Sequence, residues 1–302
     1  MRRGADDTTK ERSDFLFTGD YGFFDYKYDI SGYNGQDFGG PAQYLYLALS
    51  ALLLILLLLR FRRASEAQLR CLLRSLGIFL TLFYLGKTAW ETVYDVRRSG
   101  AFNTGLLPLD SCSIVMPAAL LAGFCRGRLG RAASCWLSTG GLVGGIGAMV
   151  RLNAFNYYPF FSFGAFYSML WHFLMVFLGL LTAVADASAE AEEAAPERRL
   201  RRVLLGSRRV RRGFVFHLCF SALVIPVDFL FDFDFMLFRD LGGLPVFESV
   251  AARLTEAGLR ALNPLLMLAL YFLGFRLADL ICRGVRRLCR GGGRREASAL
   301  SA

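Results

Sequence analysis

A thiol and an imidazole at one depth of a membrane would make a nucleophile and its base. This chain of 302 residues has a candidate for each. The thiol is Cys112, in Leu106-Leu107-Pro108-Leu109-Asp110-Ser111-Cys112-Ser113-Ile114. The imidazole is His172, in Tyr167-Ser168-Met169-Leu170-Trp171-His172-Phe173, and it is one of only two histidines. A cysteine reacts as its thiolate, which apolar surroundings disfavour unless a base or cation is near. A neighbouring imidazole is such a base. Ionisable side chains inside a membrane are costly and usually have a partner and a function. Each residue also has a plainer reading. Cys112 can be a small apolar helix residue, and His172 can be half of an interhelical hydrogen bond.

The elements that must position these residues are membrane spans. Hydrophobic residues make up 55% of the chain and aromatic ones 14%, and the mean hydropathy is +0.40. The apolar residues come in blocks near spanning length, about 20 residues each. Seven such blocks run over Ala42–Leu59, Leu72–Trp90, Leu106–Cys125, Ala133–Val150, Phe163–Val184, Gly213–Phe231 and Leu259–Ile281. Backbone polar groups in lipid must be satisfied internally, so the blocks are helices. The expected fold is all-α, a polytopic membrane protein with seven transmembrane helices. Residues 1–41 then form an extracytoplasmic aromatic and acidic segment, 42–282 the membrane domain and 283–302 a basic cytoplasmic tail. No signal peptide is visible in the charged, aromatic first 41 residues. That segment reads as a lid over the outer face or, more plainly, as an interfacial aromatic belt.

Arginine fixes the expected orientation. The net charge of +10 gathers in alternate loops, at Arg60 to Arg74, Arg126 to Arg131, Arg198 to Arg212 and Arg283 to Arg295. This positive-inside alternation places the N-terminus outside and the C-terminus in the cytoplasm. It also argues against nucleic acid as the partner of the charge. Spans three and five then both run inward. At about 1.5 Å per residue, Cys112 lies about 9 Å and His172 about 13 Å below the outer boundary. His217 stands four residues into span six, which runs outward, so it is expected near the cytoplasmic face and away from Cys112.

Other polar groups sit at the outer side. Asp228, Asp232 and Asp234 end span six, where they orient His172, bind a polar head group, hold a cation or simply cap a solvated helix end. Asp110 precedes Cys112 by two residues and can enter a polar cleft. Asn103, Asn153, Asn156, Tyr157 and Tyr158 suit a polar rim. The run Gly140-Gly141-Leu142-Val143-Gly144-Gly145 reads as GxxxG packing, with both glycine pairs on one surface. It lacks the strand and the Lys-Ser/Thr of a phosphate loop. Seven cysteines with no CxxC pair suggest neither a zinc site nor a disulfide framework. No metal and no cofactor are expected.

Leu107-Pro108-Leu109 followed by Cys112-Ser113-Ile114, a Gly-rich fourth span, an Asn-Tyr-Tyr loop and Ser168-x-x-x-His172 resemble the YwaF-like integral membrane proteins. The similarity runs over about residues 42–281 and takes in Ile225-Pro226-Val227, Phe235-Met236-Leu237 and Leu244-Pro245. That family includes a eukaryotic transmembrane acyltransferase that remodels ether phospholipids. The resemblance implies a Cys–His pair at Cys112 and His172. The chain departs from the family at Gln43 and Tyr44, where members often carry His. It departs again at Asp228, Asp232 and Asp234, where members often carry Asn.

The expected function is a membrane lipid acyltransferase that moves a fatty acyl group between phospholipid and lysophospholipid. Asp110, Asn156, Tyr157, Asp228 and Asp232 would bind the substrate. The alternatives are a membrane lipid hydrolase, or a non-enzymatic transporter or lipid-binding protein. In those last two cases the carboxylates would be cation or proton sites.

Overall fold

The computed structural model describes residues 21–30, 40–61, 64–151, 153–185, 206–238 and 256–299. Among them are helices, turns and loops, and no strand. Seven segments are long and apolar enough to cross a membrane: Pro41–Phe61, Glu66–Ser99, Thr104–Phe124, Gly127–Val150, Phe163–Ala185, Arg208–Phe231 and Leu262–Arg287. The continuous α-helices are α1 (Pro41–Phe61), α2 (Glu66–Ser99), α3 (Val115–Phe124), α4 (Gly127–Trp136), α5 (Leu142–Val150), α6 (Phe163–Ala185), α7 (Arg208–Phe231) and α8 (Glu256–Ala299).

Local sequence explains the boundaries that matter. The Ser65 hydroxyl accepts from the Gln68 amide, and the Gln68 side chain accepts from the Ser65 amide. This capping box starts α2. Gly100, left-handed at φ 72°, ends it. The third span is not one continuous helix, contrary to expectation. It enters through two 3₁₀ turns, Thr104–Leu106 and Ser111–Ile114, and becomes α-helical only at Val115. Pro108 is the cause, because it lacks an N–H and biases the residue before it away from helical angles. Cys112 therefore sits on a turn that feeds the N-terminus of α3.

The fourth span is also interrupted. A π turn, Leu137–Gly141, joins α4 to α5. There the Ser138 and Thr139 hydroxyls both donate to the Cys135 carbonyl, at 3.2 and 2.6 Å. Such side-chain bonds compete with the regular ladder, and the extra residue rotates the register. The glycines consequently do not share one GxxxG surface. A Cβ on Gly140 would lie 2.5 Å from Phe275 of α8, whereas one on Gly145 would lie 2.9 Å from Val176 of α6.

Helix α6 is the axis of the bundle. It is apolar all round, which is the pattern of a fully buried helix, and every residue from Phe173 to Ala183 is buried. Its Gly179 lets the Leu137 carbonyl approach; a Cβ there would lie 2.8 Å from that oxygen.

The two ends of the bundle differ. At one end Arg70 and Arg74 donate to the Gly123 carbonyl at 3.2 and 2.9 Å, and Arg209 reaches the Ala183 carbonyl at 3.5 Å. Cations at helix C-termini offset the macrodipole and satisfy the last carbonyls. At the other end residues 21–30 cross over α2 and the start of α6. The Phe163 amide and the Trp90 indole donate to the carbonyls of Phe23 and Phe24, at 2.7 and 2.9 Å. Tyr26 is 3% exposed, wedged among Trp90, Tyr94 and Tyr158. This stretch is a strap on the bundle rather than a belt facing lipid.

We propose that the arginine-bearing end faces the cytoplasm. A reporter fused after Arg295 is then expected to report cytoplasm. Cysteine in the Asn156→Cys variant is expected to react with an impermeant reagent added outside, above the background of the native cysteines. Labelling of position 156 only in inverted vesicles would reverse the orientation.

Candidate active site

Helix α2 presents a polar stripe toward the bundle. Tyr84, Lys87, Glu91 and Asp95 recur every three or four residues and so share one face. Lys87 and Glu91 form an ion pair whose side chains are 23% and 11% exposed. Asp95 accepts from the Asn103 side chain at 3.0 Å. The Tyr84 hydroxyl donates to the Leu106 carbonyl, which ties α2 to the turns of the third span. Lys87 Nζ lies 5.5 Å from the Tyr167 ring centroid.

The stripe faces Cys112. The charged groups acting on the thiol are Asp110 and Lys87, and the Ser113 hydroxyl and the residue's own amide lie beside it. Lys87 acts on Asp110 as well. Three tyrosines from three helices, Tyr84 of α2, Tyr167 of α6 and Tyr271 of α8, each interact with the thiol electrostatically. The Tyr271 hydroxyl also bonds the Ser111 side chain. Cys112 itself is half-buried against the main apolar core.

His172 is half-buried, and its Nδ1 lies 2.8 Å from the Ser168 carbonyl one turn earlier. A carbonyl only accepts, so Nδ1 carries the proton and the neutral ring offers Nε2 as an acceptor. No hydrogen bond joins His172 to Cys112. Both lie on elements that pack on α5. The Ser111–Ile114 turn packs on α5. His172 shares a stripe of α6 with Met175 and Gly179, which touch Gly145 and Leu142 of α5.

The remaining expected residues separate. Asp110 is at the thiol, and Asp228 of α7 acts on it. Asp228 is fully buried, and its carboxylate accepts from the Phe235 amide at 3.1 Å. Asp232 is the exposed left-handed cap of α7, at φ 61°. Asp234 reaches Tyr271 electrostatically. Asn156 belongs to the turn Asn153–Asn156, and its side chain lies outside the described residues. Tyr157 is exposed and packs on Lys27 of the strap, 5.3 Å from Nζ to ring. Tyr158 is buried instead, and burial together with the nearby Glu91 raises its phenol above the ordinary range. Burial, then Glu91 and Asp95, raise Tyr26 likewise.

His217 is buried inside the bundle. Helix α7 begins at Arg208, five residues before the apolar block, so His217 stands nine residues inside it. It is 1% exposed, and its ring centroid lies 4.3 Å from that of Tyr271. Trp136 donates to its Nδ1 at 3.3 Å. One tyrosine ring thus separates His217 from the surroundings of Cys112.

Sequence reasoning missed Tyr84, Lys87, Glu91, Tyr167 and Tyr271. For the α2 residues a signal existed, because a lysine and a glutamate at i,i+4 inside an apolar span are rare without a role. Nothing local marked Tyr167 or Tyr271. Among the described residues no three His, Cys, Asp or Glu side chains are grouped to hold a metal ion.

No curated protein and no solved structure matches the chain. A family model does match, over residues 38–240, which takes in α1 through α7 and the turn that carries Cys112. With more than half of its length matched and seven spanning helices, the chain is a multi-pass membrane protein and belongs to the TMEM164 family.

Proposed function

We propose that the protein is a lipid acyltransferase with Cys112 as nucleophile and His172 as base. The observation that carries this reading is the thiol's setting. Cys112 lies on the turn entering α3, where Lys87 and the tyrosines Tyr84, Tyr167 and Tyr271 act on it electrostatically. A helix N-terminus and the Lys87 ammonium favour a thiolate, Asp110 opposes it, and attack therefore needs a base to take the proton. The tautomer of His172 supports it too, since Nε2 is left as the acceptor. The resemblance to YwaF-like proteins adds support from outside the geometry.

In this mechanism His172 Nε2 takes the thiol proton as Sγ attacks the ester carbonyl of a phospholipid. The C–O bond breaks, and the departing lysophospholipid oxygen takes the proton from His172. A second lysophospholipid then gives its hydroxyl proton to His172 while its oxygen attacks the thioester. The C–S bond breaks and the thiol is restored. Membrane phospholipids and lysophospholipids are the partners, and both enter sideways from the bilayer. A lipase is the same first half with water as acceptor.

The test is transfer of a labelled acyl chain from phospholipid to lysophospholipid by purified protein in liposomes. Intact mass should show an acyl adduct on Cys112. His172→Ala is expected to slow transfer about 10²–10⁴-fold, the usual worth of a positioned base, with Cys112 still present. Unchanged transfer would remove His172 from the mechanism.

One observation favours a transporter instead. The third span enters through 3₁₀ turns, and Lys87 and Asp228 act on Asp110 there, as intramembrane charges do beside broken helices at transport sites. Ion-coupled solute uptake without any acyl adduct would support that reading.

A further inference from the structure

The chain has three tryptophans. Two of them have acceptors for the indole N–H. Trp90 donates to the Phe24 carbonyl at 2.9 Å, and Trp136 donates to His217 Nδ1 at 3.3 Å. Trp171 differs: its residue is 2% exposed, and its buried Nε1–H meets no acceptor among the described residues. An indole nitrogen is a donor only. A buried donor without a partner costs free energy, and hydrocarbon offers no water to relieve it. Such a group in a native fold calls for a reason.

The surroundings of Trp171 point to one. Its ring stacks on Tyr167 at 5.4 Å and lies 5.8 Å from Tyr84. These are two of the three tyrosines that act on Cys112. Lys87 stands over the same Tyr167 ring. A donor-only indole and a cation thus share the Tyr167 ring; of the acids nearby, Glu91 pairs with Lys87, Asp95 accepts from Asn103 and Asp110 acts on the thiol itself. Trp171 and His172 are adjacent in sequence but on different faces of α6. The ligand such a donor takes in apolar surroundings is a neutral or developing oxygen acceptor. A fatty acyl carbonyl is the acceptor that accompanies an apolar chain.

We infer that the Trp171 indole N–H donates to the carbonyl oxygen of an acyl chain held beside Cys112. The inference deepens the acyl-transfer reading and rests on it only for the step at sulfur. The bond strengthens as that oxygen gains charge during attack, so its loss falls on kcat rather than on KM.

The direct test uses protein carrying ¹⁵N-tryptophan in nanodiscs of a diacyl phospholipid or of its dialkyl ether analogue with the same head group. Three indole resonances are expected, each assigned by a Trp→Phe variant. The Trp171 N–H should move downfield with the diacyl lipid and not with the ether lipid, while Trp90 and Trp136 stay in place. No movement with the diacyl lipid, or equal movement with both lipids, would overturn the inference. A shift that persists in Cys112→Ala assigns the carbonyl to the lipid ester, and one that needs Cys112 assigns it to the thioester. In parallel, Trp171→Phe keeps the ring and removes the donor. It is expected to lower kcat for acyl transfer about 10²–10³-fold with KM nearly unchanged. An ester-specific shift in a protein that transfers no acyl chain would leave the carbonyl site standing and end the acyltransferase reading. Transfer with an unmoved Trp171 resonance would do the opposite.

Discussion

Cys112→Ala is expected to abolish acyl transfer, by about 10⁴-fold or more, and to remove the acyl adduct from the protein. Losses of that size follow removal of a nucleophile that acts as one unit with its base. The variant should still fold. Cys112 is half-buried on a turn, and the contacts that hold the turn do not use its sulfur: Ser113 N–H to Asp110 C=O at 2.9 Å, and the Tyr84 hydroxyl to Leu106. Alanine is small and apolar and suits a close-packed membrane interior. Thermal unfolding in detergent beside the transfer assay separates the two effects. Equal transfer by wild type and Cys112→Ala would remove Cys112 as nucleophile. Cys71 and Cys219, both exposed, would be the next sulfurs to examine by adduct mapping.

Breaking the pair in α2 should have the next largest effect. Lys87→Met leaves the Glu91 carboxylate, in a residue 8% exposed, without its paired ammonium. Removing one partner of a buried ion pair costs about 3–5 kcal/mol, because the other charge stays desolvated. The double variant Lys87→Met/Glu91→Met should recover most of that loss, since apolar residues of similar volume replace such pairs without penalty. Activity should not recover with it. Lys87 also faces Asp110 and Cys112, so its removal is expected to slow transfer about 10²-fold even in the restored fold. Chemical or thermal denaturation of the three variants, run beside the transfer assay, checks both halves. A double variant that regains stability and full activity together would make the pair structural only.

Much of the fold was legible from patterning alone. Seven apolar blocks near spanning length can only be helices in lipid, and arginines at alternate connections mark one end of the bundle. The pair Cys112 and His172 stood out because each is a polar residue in an apolar run. Interruptions of the helices were legible only in part. Pro108 is written in the sequence, but the first of the two 3₁₀ turns is also tied to α2, by Asn103 donating to Asp95 and Tyr84 donating to Leu106. The π turn after Trp136 depends on hydroxyls that choose the Cys135 carbonyl only once α4 is packed.

What the sequence by itself determined, then, is a helical membrane protein, its spans, its basic end, and two residues of reactive type within those spans. The tertiary structure alone decided what surrounds them. Tyr84, Tyr167 and Tyr271 come from three helices far apart in the chain, and no local pattern links them; helix packing brings them to one sulfur. His217 is buried between Trp136 and Tyr271, neighbours from two other helices that no local pattern links to it. The unsatisfied indole of Trp171 is likewise invisible in sequence, since whether a donor finds an acceptor is settled only when every neighbouring backbone and side chain has been placed.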